Sequence, residues 1–258
     1  MTSSEAERAE TNIVASSVRG ILLDIEGTTT PISFVHEVLF SYARAQLQQY
    51  LTQHWNSAEL LANVARLGAE HASDVEANLK PPALVSENRD NEIRSLVEYI
   101  NWLMDHDRKS TALKDLQGQI WQQGYFDGAL QAQLFEDVAP ALRRWRQAGL
   151  SINIFSSGSA LAQQLLFAHT VAGDFTKIID NYFDTTSGPK AAVESYRRIA
   201  TALRLPAESI LFISDVVAEL DAASKAEMQT LLCVRPGNAP TTPGQQHQIV
   251  YSLENVLA

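Results

Sequence analysis

Short apolar runs that stop at an acid mark both ends of the chain's clearest pattern. Gly20-Ile21-Leu22-Leu23 ends at Asp24, with Glu26 two residues on and Gly27 behind it. A few apolar residues cut off in this way fit a strand buried on both faces, as in a parallel sheet. Ser209-Ile210-Leu211-Phe212-Ile213-Ser214 repeats the design and stops at Asp215. Leu150 to Phe155 alternates like a strand and runs into Ser156-Ser157-Gly158-Ser159, after which a helix is predicted from near Ala160. From Pro31 to about Asp137 the period changes. Val35, Val38, Leu39, Tyr42, Leu47 and Leu51, then Leu60, Leu61, Val64 and Leu67, then Ile93, Leu96, Ile100 and Leu103, recur mostly at three- and four-residue steps. Three to five amphipathic helices follow, broken at Lys80-Pro81-Pro82 and resumed from Asn88 to Asn91. From Asp137 the β/α alternation returns, starting with a helix to Ala148 that turns Leu142 and Trp145 inward and stops at Gly149. The expected fold is α/β: a parallel sheet with helices on both faces, made of residues 1–33 and 137–258, and an all-helical insertion at 34–136.

Composition narrows the class of function. The chain has 258 residues, 45% apolar and 19% charged, which is ordinary for a globular protein with a substantial core. A formal charge of −10 argues against a nucleic-acid partner, because phosphate backbones are met by clustered Lys and Arg. No run reaches membrane-spanning length, and Met1 to Asn12 carry acids without the apolar core of a secretion signal. Cys233, the only cysteine, lies in the apolar run Leu231 to Val234 and reads as a buried small hydrophobe in a reducing cytoplasm.

Four places carry candidate chemistry. Asp24 stands where a buried strand emerges at the sheet edge, and with Glu26 and Gly27-Thr28-Thr29-Thr30 it offers acids, hydroxyls and N–H groups to a metal ion and a phosphoryl group; an acidic turn is the alternative. Ser156 and Ser157 form a cradle for phosphoryl oxygens, or a cap and turn. Pro189 suits a helix's first turn and presents Lys190 near its start, where a cation opposes the dipole and makes sense facing an anion; a solvated lysine is the other reading. Asp215 and Glu219 would share a face of a first helical turn, fit for a hard cation or simply complementing the dipole. In the insertion, Trp102, Trp121, Tyr125 and Phe126 read as core rather than pocket, and His36, His54, His71 and His106 lack metal-ligand spacing.

Taken together, Asp24 to Thr28, Ser156-Ser157-Gly158, Lys190, and Asp215 to Glu219 resemble the four motifs of the haloacid-dehalogenase-like phosphohydrolases. More narrowly, Asp24-Ile25-Glu26-Gly27-Thr28-Thr29-Thr30-Pro31-Ile32, Leu116 to Trp121, Ile154 to Ser159 and Val234-Arg235-Pro236-Gly237-Asn238 resemble the enolase-phosphatase (acireductone synthase) family of methionine salvage, over about residues 19 to 240. The resemblance implies a Rossmann-like core with the insertion as its cap. It also implies one Mg²⁺ per subunit, held by Asp24, Asp215 and an oxygen of Glu26. The substrate would be a small phosphorylated diketone, 2,3-diketo-5-methylthiopentyl-1-phosphate, enolised and then dephosphorylated. Asp24 would be the nucleophile, Ser156 and Ser157 would bind phosphoryl oxygens, Lys190 would balance charge, and Glu219 would support it. The superfamily's phosphatases usually carry Asp where this chain has Glu26, and the longer acid matches the narrower family while leaving open whether it serves metal, leaving group or carbon. The base for enolisation is open among Glu26, a water, His36 and Glu37. A phosphatase of another small metabolite is the alternative. A dehalogenase, a phosphorylated receiver and a silent binding protein fit less well, since they have no use for the second acid, for the insertion, and for the filled catalytic positions respectively. A cytoplasmic monomer is expected.

Overall fold

The structure, a computed structural model, describes residues 17–240 and 244–257, so the expectation for Met1 to Asn12 lies outside the described residues. The chain divides into two compact units, Met1–Val35 with Gln131–Ala258, and His36–Leu130. The first unit is built on six strands: β1 Gly20–Leu23, β2 Ser151–Phe155, β3 Asn181–Phe183, β4 Ile210–Ser214, β5 Gln229–Cys233 and β6 Gln248–Val250. Their order is β3-β2-β1-β4-β5-β6 and every pairing is parallel. All of β1 and β4 is buried, which explains their unbroken apolar runs. Leu23 pairs with Ile154 on one side and Ile213 on the other, so the chain leaves β1, β2 and β4 at one sheet edge. The order turns around between β1 and β4, which is the switch point where open α/β sheets form their ligand crevice.

The second unit is helical: α1 Ser41–His54, α2 Ala58–Glu76, α3 Arg89–Asp105 and α4 Thr111–Phe126. Ser57, Asn88 and Ser110 cap the last three, each side chain accepting a hydrogen bond from the backbone N–H three residues on. Leu47 and Leu51, Leu60 and Leu67, Leu96, Ile100 and Leu103, and Leu116 and Ile120 form one buried core. Trp102 and Trp121 pack half-buried against it and Tyr125 is buried. Phe126 departs from expectation at 69% exposed, because a helical neighbour of the buried Tyr125 is turned about 100° away. The histidines pack singly: His71 Nε2 lies 2.8 Å from the Pro82 carbonyl and His106 Nδ1 2.8 Å from that of Trp102. One charged group is buried here. Asp74, 2% exposed, accepts hydrogen bonds from Tyr99 Oη at 2.8 Å and from Arg108. Burial and then Asp74 push the Tyr99 phenol above its usual range.

Helices α5 Val138–Gln147, α6 Ala160–Ala168, α7 Val193–Leu203 and α8 Val217–Lys225 alternate with the strands. Tyr196 and Ile199 of α7 and Leu220 and Ala223 of α8 cover Leu22, Phe212 and Leu232 on one face of the sheet. Helix α5 lies against β2 and buries Leu142 and Trp145 completely. Among the described residues no helix is long and apolar enough to cross a membrane.

Replacing Asp74 by Ala is expected to destabilise the protein by about 1 to 3 kcal/mol, since it leaves the buried Tyr99 hydroxyl without its acceptor and removes the partner of Arg108. Urea unfolding checks this, and a cost under about 1 kcal/mol would show the network to be energetically idle.

Candidate active site

At the shared strand edge, Asp24 follows β1, Ser156 follows β2 and Asp215 follows β4. Asp24 is 4% exposed, and its backbone N–H donates to the Ile213 carbonyl at 3.0 Å, which fixes it against β4. The Lys190 ammonium donates to Asp24 Oδ1 at 2.5 Å and lies 2.7 Å from Glu219 Oε2. Glu219 also accepts from Ser214 Oγ at 3.0 Å. The Phe155 ring sits 5.9 Å from the ammonium, and Tyr196 Oη donates to the Lys190 carbonyl at 2.7 Å. Thus β1, β2, β4, α7 and α8 all contribute to placing one cation.

Two positions differ from the sequence reading. Lys190 does not sit in a helix's first turn, because α7 begins only at Val193. It belongs to the turn ahead, held by Ser195 Oγ donating to the Pro189 carbonyl at 2.7 Å. Its anionic partners are therefore the carboxylates, and the helix dipole has no part in the argument. Asp215 does not share a helical turn with Glu219 either. It precedes the cap residue Val216, while Glu219 lies in the first turn of α8 and faces Lys190.

The loop after Asp24 is tightly wound. The N–H groups of Thr28, Thr29 and Thr30 all donate to the Ile25 carbonyl, and Gly27 N–H donates to the Thr30 carbonyl, so these four are used within the loop and are not free for a ligand. Thr29 Oγ1 donates to the Asp24 and Ile25 carbonyls. Gly27 has φ +71°, and a Cβ there would run into the Asp215 carboxylate and come within 3.1 Å of Asn238 Oδ1. Glycine is required on both counts. Ser156 Oγ accepts from Gly158 N–H at 3.2 Å; Ser157 is exposed, and Ser159 caps α6 instead of facing the site.

Sequence reasoning gave Arg235 and Asn238 no role. Asn238 Nδ2 donates to the Gly27 carbonyl at 3.0 Å, and Arg235 Nε donates to that of Thr28 at 3.2 Å. The available signal was the family-like run Val234 to Asn238 itself, which follows a third apolar strand, β5, at the same edge.

The electrostatics ask for more positive charge than Lys190 supplies. Burial works against the ammonium, but Asp24 and Glu219 outweigh it and hold its pKa above the usual value. Burial, then the charge of Asp24, pushes Asp215 up to about 7, and the same two causes raise Glu219. Among the described residues no three His, Cys, Asp or Glu side chains form a metal cluster. The donor set nonetheless fits a hard, oxygen-seeking cation such as Mg²⁺, which is held by one or two carboxylates and leaves room for waters and phosphate. Asp24 and Asp215 supply the carboxylates, and Asn238 Oδ1, buried without a hydrogen-bond donor among the described residues, adds an unused oxygen beside Gly27.

Residues 18–227 match the haloacid dehalogenase-like hydrolase family. The chain is 48% identical over 228 residues to an enolase-phosphatase E1 of Synechococcus elongatus, covering 88% of this chain and 93% of that protein. It is 44% identical over 232 residues to an enolase-phosphatase E1 of Xenopus tropicalis, covering 89% and 90%. Its fold is similar to the crystal structure of the UTR4 protein of Saccharomyces cerevisiae, with a TM-score of 0.76, 33% identity, and coverage of 93% of this chain and 100% of that one. With Asp24, Lys190 and Asp215 gathered at the switch point of a parallel sheet, and relatives this similar in a cyanobacterium and a frog, the chain belongs to the enolase-phosphatase E1 family of haloacid dehalogenase-like hydrolases.

Proposed function

We propose that this chain converts 2,3-diketo-5-methylthiopentyl-1-phosphate, through its enol phosphate, to the acireductone 1,2-dihydroxy-3-keto-5-methylthiopentene and phosphate, a step of methionine salvage. The observation that carries the reading is the Lys190 ammonium 2.5 Å from Asp24 and 2.7 Å from Glu219, beside Asp215. Asp24 attacks phosphorus, forming an aspartyl-phosphate as the bond to the enol oxygen breaks; water then returns the free carboxylate and releases phosphate. Lys190 holds the nucleophile in place and offsets the charge it shares with the phosphoryl group, while Ser156 and Ser157 hold phosphoryl oxygens. Glu219 supports Lys190 from the far side. Asp24, Asp215 and an oxygen of Glu26 would hold Mg²⁺, the cation such phosphatases generally use. When bound, Mg²⁺ neutralises phosphoryl charge and polarises the carbonyl for enolisation. Enolisation moves a proton from carbon to oxygen; half-buried Glu26, two residues after the nucleophile, is our candidate to move a proton on carbon or to the leaving oxygen, with a water, His36 and Glu37 as the other bases this reading admits. The protein acts as a monomer, and in the cytoplasm, the second of these being supported by its free, buried Cys233.

The decisive assay mixes protein, Mg²⁺ and the diketo phosphate and follows enol absorbance and free phosphate together. Both signals are expected, and both are expected to vanish with chelator and return with Mg²⁺. Phosphate without enol would favour a phosphatase of another small metabolite. Asp24→Asn is expected to release no phosphate above background while keeping the wild-type unfolding midpoint within a few degrees, and normal turnover by this variant would end the assignment. Gly27→Ala forces a methyl against Asp215 at a positive φ, so its phosphate release is expected to fall roughly a hundredfold. A Gly27→Ala enzyme with unchanged kcat would mean that the loop has slack the structure does not show.

A further inference from the structure

The segment after β5, Val234-Arg235-Pro236-Gly237-Asn238, grips main-chain carbonyls of the loop after Asp24. Asn238 Nδ2 donates to the Gly27 carbonyl at 3.0 Å and to the Cys233 carbonyl at 3.3 Å. Arg235 Nε donates to the Thr28 carbonyl at 3.2 Å, while Nη1 donates to the Tyr251 carbonyl at 3.1 Å and pairs with Asp137 Oδ2 at 2.9 Å. The guanidinium lies 4.6 Å from the Phe135 ring centre, and its side chain is 5% exposed. Asp137 in turn accepts from the Leu253 N–H and from Ser252 Oγ. One buried side chain therefore ties the catalytic loop to the start of α5, to the end of β5 and to the C-terminal segment. A planar fork with fixed donor directions is pre-organised to serve a carboxylate and two carbonyls at once, whereas an ammonium on a flexible stem lacks that fixed geometry. Burying so polar a group is costly, and packing alone would be met by an apolar residue.

We propose that Arg235 and Asn238 are positioning residues for phosphoryl transfer. By gripping the two successive carbonyls of Gly27 and Thr28, they fix the peptide planes of the loop and with them the attitude of Asp24 toward phosphorus and of Gly27 against Asp215. This rests on Asp24 being the phosphorylated nucleophile. Neither residue touches the reacting atoms; they act through the loop.

Arg235→Lys keeps a positive charge for Asp137 but gives up the simultaneous hold on Thr28. Its kcat for phosphate release is expected to fall roughly ten- to a hundredfold, with KM for the diketo phosphate within about threefold of wild type, at a temperature where circular dichroism shows the variant fully folded. Beryllium fluoride with Mg²⁺ mimics the phosphoryl group on Asp24 and reports geometry without turnover. The variant is expected to bind it at least about tenfold more weakly and to shift its ¹⁹F resonances, neither of which a loss of stability in folded protein would produce. Should Arg235→Lys fold poorly, Asn238→Asp keeps an oxygen at this place but loses the amide donor to the Gly27 carbonyl, and is expected to give the same pattern in milder form with the Mg²⁺ concentration for half-maximal rate unchanged within about threefold. A wild type that releases phosphate and binds beryllofluoride, beside folded variants with the same kcat and the same ¹⁹F spectrum, overturns the clamp alone. A wild type that does neither overturns the nucleophile assignment, and the clamp falls with it.

Discussion

Two carboxylates, Asp24 and Glu219, share one ammonium at the end of a parallel sheet with a third, Asp215, near by, and the rest of the molecule is arranged so that this imbalance can exist. Asp24 is almost fully buried, Lys190 and Glu219 have side chains 12% exposed, and Asp215 is raised to about 7 by burial and by Asp24. Unpaired charges in such a place are costly enough that the fold must hold them rigidly. The parallel register does so for Asp24 and Asp215, the anchored turn before α7 does so for Lys190, and the first turn of α8 does so for Glu219. The same imbalance makes the site receptive to a divalent cation, because added positive charge offsets the crowding of carboxylates that raises Asp215. Stability and function pull in opposite directions here, as strained electrostatics at active sites commonly do.

Much of this was legible in the sequence because strand ends are abrupt. Gly20 to Asp24 and Ser209 to Asp215 go from fully apolar to acidic in one residue, which only a strand buried on both faces and opening into a crevice explains well. The helical unit was legible for a related reason, since Leu60, Leu67, Leu96, Ile100 and Leu103 keep a helical period with few interruptions. What resisted reading were contacts set by tertiary geometry. Pro189 and Lys190 look like a helix start, yet Ser195 and Tyr196 pull both carbonyls into a separate turn and the helix begins later. Tyr125 and Phe126 are adjacent aromatics with the same propensities, and only the direction of the helix face decides that one is buried and the other exposed. Arg235 and Asn238 act through backbone carbonyls, which leave no trace in the identity of their partners.

The likeness to enolase-phosphatases of a cyanobacterium and a frog covers nearly the whole chain, helical unit included. That extent matters, because function lives in particular sites on a fold and not in the fold itself. A family resting on the sheet alone would support hydrolysis and little more.

The most direct test of the central claim is to mix enzyme, Mg²⁺ and the diketo phosphate, quench in acid within the first turnover, and map the modified peptide by mass spectrometry. The account predicts a transient acyl-phosphate on Asp24, labile to hydroxylamine and absent once substrate is exhausted. Phosphate released at full rate with no modification at Asp24, or with the phosphoryl group on another residue, would contradict it.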